Sequence, residues 1–383
     1  MNKNVLKING AYDRLLSWAI ARNERKKLSR IMGSRREFFA DTASLDAGEW
    51  LRRWSVLGST DGIFYRYYGA FIGAGPDIVP DDLMHNVIEP ILNPMRFRGL
   101  YSDKNMFDKL LAPSFSRPVT PRTLLRSIRG GFYDAGYNPV GDGDIRSLIG
   151  AADMGFLVAK PTVDSSSGNN VLFYDRDGSG YRLRGDGSEL DVKTLSKRLG
   201  SDFIIQEGQV QSAAMSRFND TSINTLRIAT YLSVETHEPV VLGGVLRVGK
   251  RGSFVDNAHA GGCLVGIGGD GRLCPSCSDQ YGNRFTVFND MDFSAGEYYI
   301  PNYDLVRQFA AKVASALPHQ RVLALDIMLD ADDRPLLIEF NNYAFGVWAF
   351  QQTVGPLFGT YTQEVIEHCR THLKDATRIY LTY

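Results

Sequence analysis

The segment Val322 to Asn342, VLALDIMLDADDRPLLIEFNN, carries two carboxylates and an amide at spacings that a single β-hairpin would bring together. With a turn centred between Asp332 and Asp333, antiparallel pairing sets Asp326 opposite Glu339, and Asn341 follows two residues along the same face. The other face is then Leu325, Ile327, Leu329, Leu336, Ile338 and Phe340, all apolar and suited to a core. Like charges directly opposed in a sheet are destabilising, and burial makes them more so, unless a cation lies between them. An oxygen-only Asp, Glu and Asn set suits Mg²⁺, which retains waters and accepts further oxygens from phosphates. The competing reading of this stretch alone is an edge hairpin with a solvated acidic face.

The elements that would position such a site lie upstream. Tyr101 opens SDKNMFDKLL, where Ser102 is a candidate N-cap and Phe107, Leu110 and Leu111 form a helical stripe. Lys104 in the first turn opposes the helix dipole unless it faces an anion. FLVAK, Phe156 to Lys160, reads as a buried strand ending in a lysine, followed by PTVDSSSGNN and a return strand, VLFYD. Such a loop can wrap phosphates with backbone N–H groups and hydroxyls, although Ser, Gly and Asn are also ordinary turn residues. DFIIQEG is a short strand that stops at Gln206 and Glu207. SINTLRIATYL and PVVLGGVLRVGKRGSFVDNAHAGG read as strands carrying Arg227 and Arg247 and ending in a polar loop with Asp256, Asn257 and His259. Two neighbouring arginines need anionic partners, either acidic side chains or the phosphate and carboxylate of a substrate.

At 383 residues the chain is long enough for two or three lobes, and its composition is that of a soluble globular protein. Basic and acidic residues balance at 43 each, so no global field favours nucleic acid. The N-terminus lacks the apolar core of a signal peptide and no run approaches bilayer-spanning length, which gives a cytoplasmic expectation. Four unevenly placed cysteines fit that compartment. Cys274-Pro-Ser-Cys277 has the spacing of half a zinc site and is expected to form a turn between two strands.

Tyr12 to Met32 has helical periodicity, and its basic residues from Arg22 to Arg36 suit either a solvated face or contact with an anionic membrane surface or glycan. The aromatic stretch Glu49 to Tyr68 is expected to form the core of an N-terminal lobe, which Gly73 to Pro80, Pro90 and Pro94 break into short pieces. Helices are expected from Tyr303 to Leu317, before the acidic hairpin, and from Tyr361 to Lys374.

Taken in order, Lys104, Lys160 with its polar loop, Gln206-Glu207, Arg227, Arg247, Asn257, Asp326, Glu339 and Asn341 make the chain resemble ATP-grasp enzymes over roughly residues 101 to 345. NTLRI, LRVG, DNAHAGG, the hairpin and the upstream IEPILNP resemble the ATP-grasp group associated with sugar transfer, and more distantly the ligases that add glutamate to a ribosomal protein. The resemblance implies an α+β fold of two lobes gripping ATP behind an N-terminal helical or mixed lobe. It implies a division into residues 1–100, 101–205 with the phosphate loop, and 206–383 with the magnesium hairpin. Lys104, Lys160, Ser166, Ser167 and Gly168 would contact phosphates, and Gln206 and Glu207 would sit at the hinge beside adenine and ribose. Asp326, Glu339 and Asn341 would hold Mg²⁺, while Arg227, Arg247 and Asn257 would face the γ-phosphate and a reacting carboxylate. The implied activity is ATP-dependent ligation of a small-molecule or glycan carboxylate to an amine, with a kinase and a non-catalytic nucleotide-binding module as rivals. DSSSGNN is poorer in glycine than many phosphate loops of the superfamily, and Phe340 stands where a small residue is common.

Overall fold

Alternating apolar residues along two runs of strands build two antiparallel sheets, seen in a computed structural model that describes residues 3–163, 170–178 and 180–377, with side chains from Gly10 onward. The first sheet contains β1 (Thr123–Ile128), β2 (Gly131–Tyr133), β3 (Phe156–Pro161), β4 (Leu172–Asp177), β5 (Gly180–Leu183) and β6 (Phe203–Glu207), in the order β2-β1-β6-β3-β4-β5. Helices Asp142–Gly150 and Val192–Leu199 cover its apolar face through Ile145, Ile149, Leu195 and Leu199. The second sheet contains β7 (Leu226–Leu232), β8 (Pro239–Val248), β9 (Cys263–Ile267), β10 (Leu273–Ser278) and β11 (Arg284–Phe285). After a small ribbon of β12 (Val287–Phe288) and β13 (Met291–Asp292), it is completed by β14 (Val322–Leu329) and β15 (Pro335–Asn341), in the order β11-β10-β9-β8-β7-β14-β15.

Both faces of this larger sheet are covered, which explains why β14 is buried at every position. Leu323, Leu325, Ile327 and Leu329 point to the side packed by the helix Tyr303–Ser315 and by residues 101–119. Val322 and Ala324 point to the opposite side, where the N-terminal helices supply Trp50, Trp54, Phe64, Tyr67 and Tyr68 and the C-terminal helix Thr362–Thr371 closes the layer. Asp326 follows Val322 and Ala324 on that second face, and its β7 partner Arg227 shares the face with Ala229 and Tyr231. One face of the sheet is therefore core at one end and charged at the other.

Several local expectations are corrected. Asp103, not Ser102, caps the segment bearing Lys104, its carboxylate accepting from the Asn105 N–H at 3.0 Å; Ser102 ends the preceding helix Arg98–Ser102. Cys274 and Cys277 lie within β10 itself and not in a turn. Pro90 does not interrupt its lobe: residues 81–92 form one helical run whose π-type middle turn, Met84–Ile88, precedes the proline. The first helix runs from Lys3 to Ser34, longer at both ends than its periodicity suggests. Among the described residues no helix is long and apolar enough to cross a membrane.

Candidate active site

The β14–β15 hairpin pairs Asp326 with Glu339, as the spacing predicts, but through two departures that cancel. Its tip is a five-residue loop, with the Asp330 N–H donating to Arg334 O at 2.9 Å and Asp333 at φ 56°, so Leu329 faces Pro335. That register alone would leave Asp326 opposite Ile338. A bulge at Ile338 inserts one residue, restores the Asp326–Glu339 pair and reverses the faces beyond it. Leu337, not Leu336 or Ile338, consequently joins the core with Phe340, while Ile338 lines the cleft beside the acids.

Although β15 is the sheet edge, Asp326 on the neighbouring β14 is not solvated. Asp326 is 2% exposed. Arg227 grips both of its oxygens, Nε to Oδ1 and Nη2 to Oδ2, each at 2.8 Å, and Arg247 Nη1 adds a third contact of 2.8 Å to Oδ2. Arg247 also reaches Asp256 at 3.0 Å, and Asp256 accepts from the Thr225 N–H at 3.0 Å. Burial acts to raise the Asp326 pKa, but the Arg227 and Arg247 charges outweigh it and hold the group below the usual carboxylate range. For Arg247, burial opposes the charge while Asp256 and Asp326 push the pKa up. The anionic partners of the two arginines are thus acidic side chains of the protein. Asp256 was marked in the sequence only as a polar loop residue; its position at the start of DNAHAGG, nine residues after Arg247, was the available signal.

Glu339 is freer. One oxygen pairs with Lys104 at 3.2 Å, which supplies the anion that a first-turn lysine requires. That pairing is set by packing: Phe107 stacks on Phe340 at 4.2 Å, so the large residue at position 340 docks the Lys104 segment onto the hairpin. From the other side, fully buried Arg126 of β1 donates to Asn105 O at 2.7 Å and pairs with Asp108. The segment is therefore fastened to both sheets.

Lys160 converges on the same place from β3. Burial is the main cause of its lowered pKa, about 8 instead of 10.5, with Lys104 reinforcing the shift and Glu339 opposing it. A partly desolvated lysine beside a second lysine is a site that an anion would stabilise. Gln206 and Glu207 end β6 nearby; Gln206 Nε2 donates to Pro121 O at 3.2 Å and Glu207 pairs with Arg122 at 3.3 Å. Ser166, Ser167 and Gly168 lie outside the described residues.

Lys160, Gln206, Glu207, Arg247, Asp326 and Glu339 line a cleft of about 410 Å³ between the two sheets. Its apolar walls include Phe156, Val158, Phe173, Val210 and Phe254, which sequence reasoning did not select. Phe173 of the first sheet meets Phe254 of the loop between β8 and β9 at 5.9 Å, and the Arg184 guanidinium lies over both rings. Isolated aromatics on strands give no sequence signal that distinguishes a ligand wall from a core. A second chamber of about 480 Å³ is lined by Arg98, Arg227, His259, Tyr343, Phe345 and Trp348, among others. The two chambers meet at Arg247, Asn257 and Glu339, which line both.

The floor of the second chamber is held from behind by the IEPILNP segment. Buried Glu89 accepts from the Ala344 N–H at 2.7 Å, at a residue with φ 50°. Asn93 donates to Val322 O and Asn342 O at 2.6 and 2.8 Å and accepts from the Val322 N–H at 3.0 Å.

The donor set fits a hard divalent cation through Glu339 and Asn341. The Asn341 amide would coordinate through Oδ1; its Nδ2, buried without a hydrogen-bond partner among the described residues, is a donor and not a metal ligand. Asp326 would join such a set only by exchanging one guanidinium contact. No group of three or more His, Cys, Asp or Glu able to hold a metal occurs among the described residues.

Comparison with known proteins places this geometry. The family model described as sugar-transfer associated ATP-grasp matches residues 88–365, and the chain belongs to that family. Its α+β architecture, two antiparallel sheets facing a shared cleft, is the ATP-grasp fold. No curated protein matches the chain. Among solved structures it is similar to the ATP-grasp ligase PsnB complexed with a minimal precursor, at 13% identity over 72% of this chain and 64% of that one, with a TM-score of 0.37. For an L-amino acid ligase from Bacillus licheniformis the values are 13%, 70%, 48% and 0.36. For a D-alanine–D-alanine ligase from Bacillus anthracis they are 13%, 74%, 71% and 0.37. The chain thus spans less than two thirds of the length of the first two, and likeness at these scores carries no argument about activity.

The Lys160 environment makes a testable expectation. In the nucleotide-free protein Lys160 loses its charge as pH rises through about 8. Affinity for ADP is expected to fall between about pH 7 and pH 9, with proton uptake on binding at the upper end, and Lys160→Arg is expected to flatten the profile. Calorimetry in buffers of different ionisation enthalpy measures both.

Proposed function

We propose that the protein is an ATP-dependent carboxylate–amine ligase. The observation that carries this reading is the meeting of two chambers at Arg247, Asn257 and Glu339: one is apolar-walled and lysine-ended, and the other is cation-lined and separate. Two different ligands can then present reacting groups to each other at one point. The nucleotide would enter the first chamber with its base between the aromatic walls near Gln206 and Glu207. Its phosphates would point to Lys104 and Lys160, with Ser166, Ser167 and Gly168 proposed as further contacts. Glu339 and Asn341, with Asp326, would hold Mg²⁺, which when bound neutralises charge on the transferring phosphoryl group.

In the second chamber the N–H groups of Arg227 and Arg247 not taken by Asp326 and Asp256 would orient a carboxylate, drawn from a small molecule or a glycan such as one containing a uronic acid. A carboxylate oxygen attacks the γ-phosphorus and ADP departs, giving an acyl phosphate. The amine then attacks the carbonyl carbon, phosphate leaves and the nitrogen loses a proton. Arg247 and the Asn257 amide would stabilise the oxyanion of that second step.

The test is a screen for ADP release over paired acids and amines, with the product identified by mass spectrometry. Amine-dependent release with an amide product is expected. Arg247→Lys is expected to keep nucleotide affinity and lose product formation on the order of 10²-fold, since an ammonium cannot reproduce a forked contact. A phosphate ester formed without an amine would replace the ligase by a kinase, and intact nucleotide binding with no turnover would leave a binding module.

A further inference from the structure

The first helix, Lys3–Ser34, divides at its middle in what its two sides touch. At 100° per residue, Asp13, Ser17, Ile20, Ala21, Glu24, Leu28 and Ile31 fall on one stripe, and this stripe faces the protein. Ala21, Leu28 and Ile31 are buried in it, Ser17 O accepts from Asn86 Nδ2 at 3.0 Å, and Asp13 accepts from Thr377 Oγ1 at 2.7 Å. The side turned away from the protein is not the polar face that a solvated helix would show. Its first half exposes Tyr12, Leu15, Leu16 and Trp18 at 62%, 61%, 40% and 55%. Arg22, Lys26 and Arg30 are exposed along the same side. Asp13 and Glu24 are the only acids between residues 10 and 30, and both lie on the inner stripe, so the outer side carries no acid and its only neutral polar side chains are Asn23 and Ser29.

We propose that this outer face of the first helix docks the protein on an anionic lipid surface, lying in the headgroup plane without crossing it. Aromatic and leucine side chains at one end with a row of cations beyond them suit an interface that offers both hydrocarbon and negative charge. A second copy of the chain would bring the same cations face to face across a two-fold axis, which charge opposes. Nucleic acid would use the cations but leave four large apolar side chains in water. The Arg22 guanidinium, 5.1 Å from the Trp18 ring centre, keeps the two features adjacent on the surface.

The full chain is tested by co-sedimentation with vesicles of phosphatidylcholine alone or mixed with phosphatidylserine. Binding is expected only to the mixed vesicles and is expected to weaken with salt. Each basic residue near such a surface is worth about a fivefold change, so Arg22→Glu with Lys26→Glu and Arg30→Glu is expected to lower the partition coefficient on the order of 100-fold. Trp18→Phe should still bind but lose the blue shift of tryptophan emission, which locates the contact. These positions are exposed, so circular dichroism should match the parent. Equal binding to neutral and mixed vesicles, or binding to neither, overturns the proposal. So does a dimer dissociated by Leu15→Glu, which would give the face to a second copy, or retention of the helix cations by nucleic acid in place of vesicles.

Discussion

Asp326→Asn is expected to destabilise the protein by about 3–5 kcal/mol, because it removes the charge that two largely buried guanidinium groups share. The side chains of Arg227 and Arg247 are only 19% and 12% exposed, and together they make three contacts of 2.8 Å with this one carboxylate. Asparagine preserves the volume, so the loss isolates electrostatics from packing. Asp256 would still neutralise part of Arg247, which places most of the cost on Arg227. The effect carries a pH signature whose sign follows from linkage. The folded pKa of Asp326 is depressed relative to the unfolded value of about 3.9, so its contribution is complete above that value and is lost as pH falls through the folded pKa. Urea midpoints for parent and variant should differ most near neutrality and converge in acid. A midpoint unchanged at neutral pH would mean that the arginines find other partners and that Asp326 does not hold the site together.

Glu339→Gln is expected to cost on the order of 10²-fold or more in magnesium-dependent turnover while leaving the fold intact. Glu339 pairs with Lys104 among the described residues, and its side chain is 28% exposed at the junction of the two chambers. A second readout separates a metal role from a general loss of activity. Glu339 supports the charged form of Lys160, so its neutralisation should move the Lys160 transition below about 8. At pH values under that transition, metal-free ADP should bind more tightly, because one negative charge has left a site of two lysines. Near-normal magnesium-dependent turnover would falsify the assignment of Glu339 to the metal.

Much of this arrangement was legible in the residues because it depends on local periodicity. The two-residue repeat of β14 and β15 pairs Asp326 with Glu339 because the longer loop and the bulge at Ile338 offset one another, and strand-ending Lys160 and Gln206-Glu207 lie where their apolar runs stop. The aromatic stretch Glu49 to Tyr68 packs as a core because those side chains bury more surface than a small lobe can leave exposed. The ordered set of motifs, each common by itself, was enough to mark the ATP-grasp family.

What the tertiary structure decided are the matters that turn on which strand lies beside which, and on where a backbone departs from its repeat. The bulge at Ile338 is invisible to a period-two reading, since inserting one residue alters no composition, yet it chooses which leucine enters the core and which isoleucine lines the cleft. That Arg227 and Arg247 share Asp326 follows from β7 lying between β8 and β14, a neighbourhood created by residues about 80 to 100 positions apart in the chain. The sequence by itself determined the residue types and, on β14, their faces, because side-chain chemistry and strand periodicity are local. Only the fold determined how the charges are shared, because a buried carboxylate takes its partners from whichever cations the sheet order brings within reach.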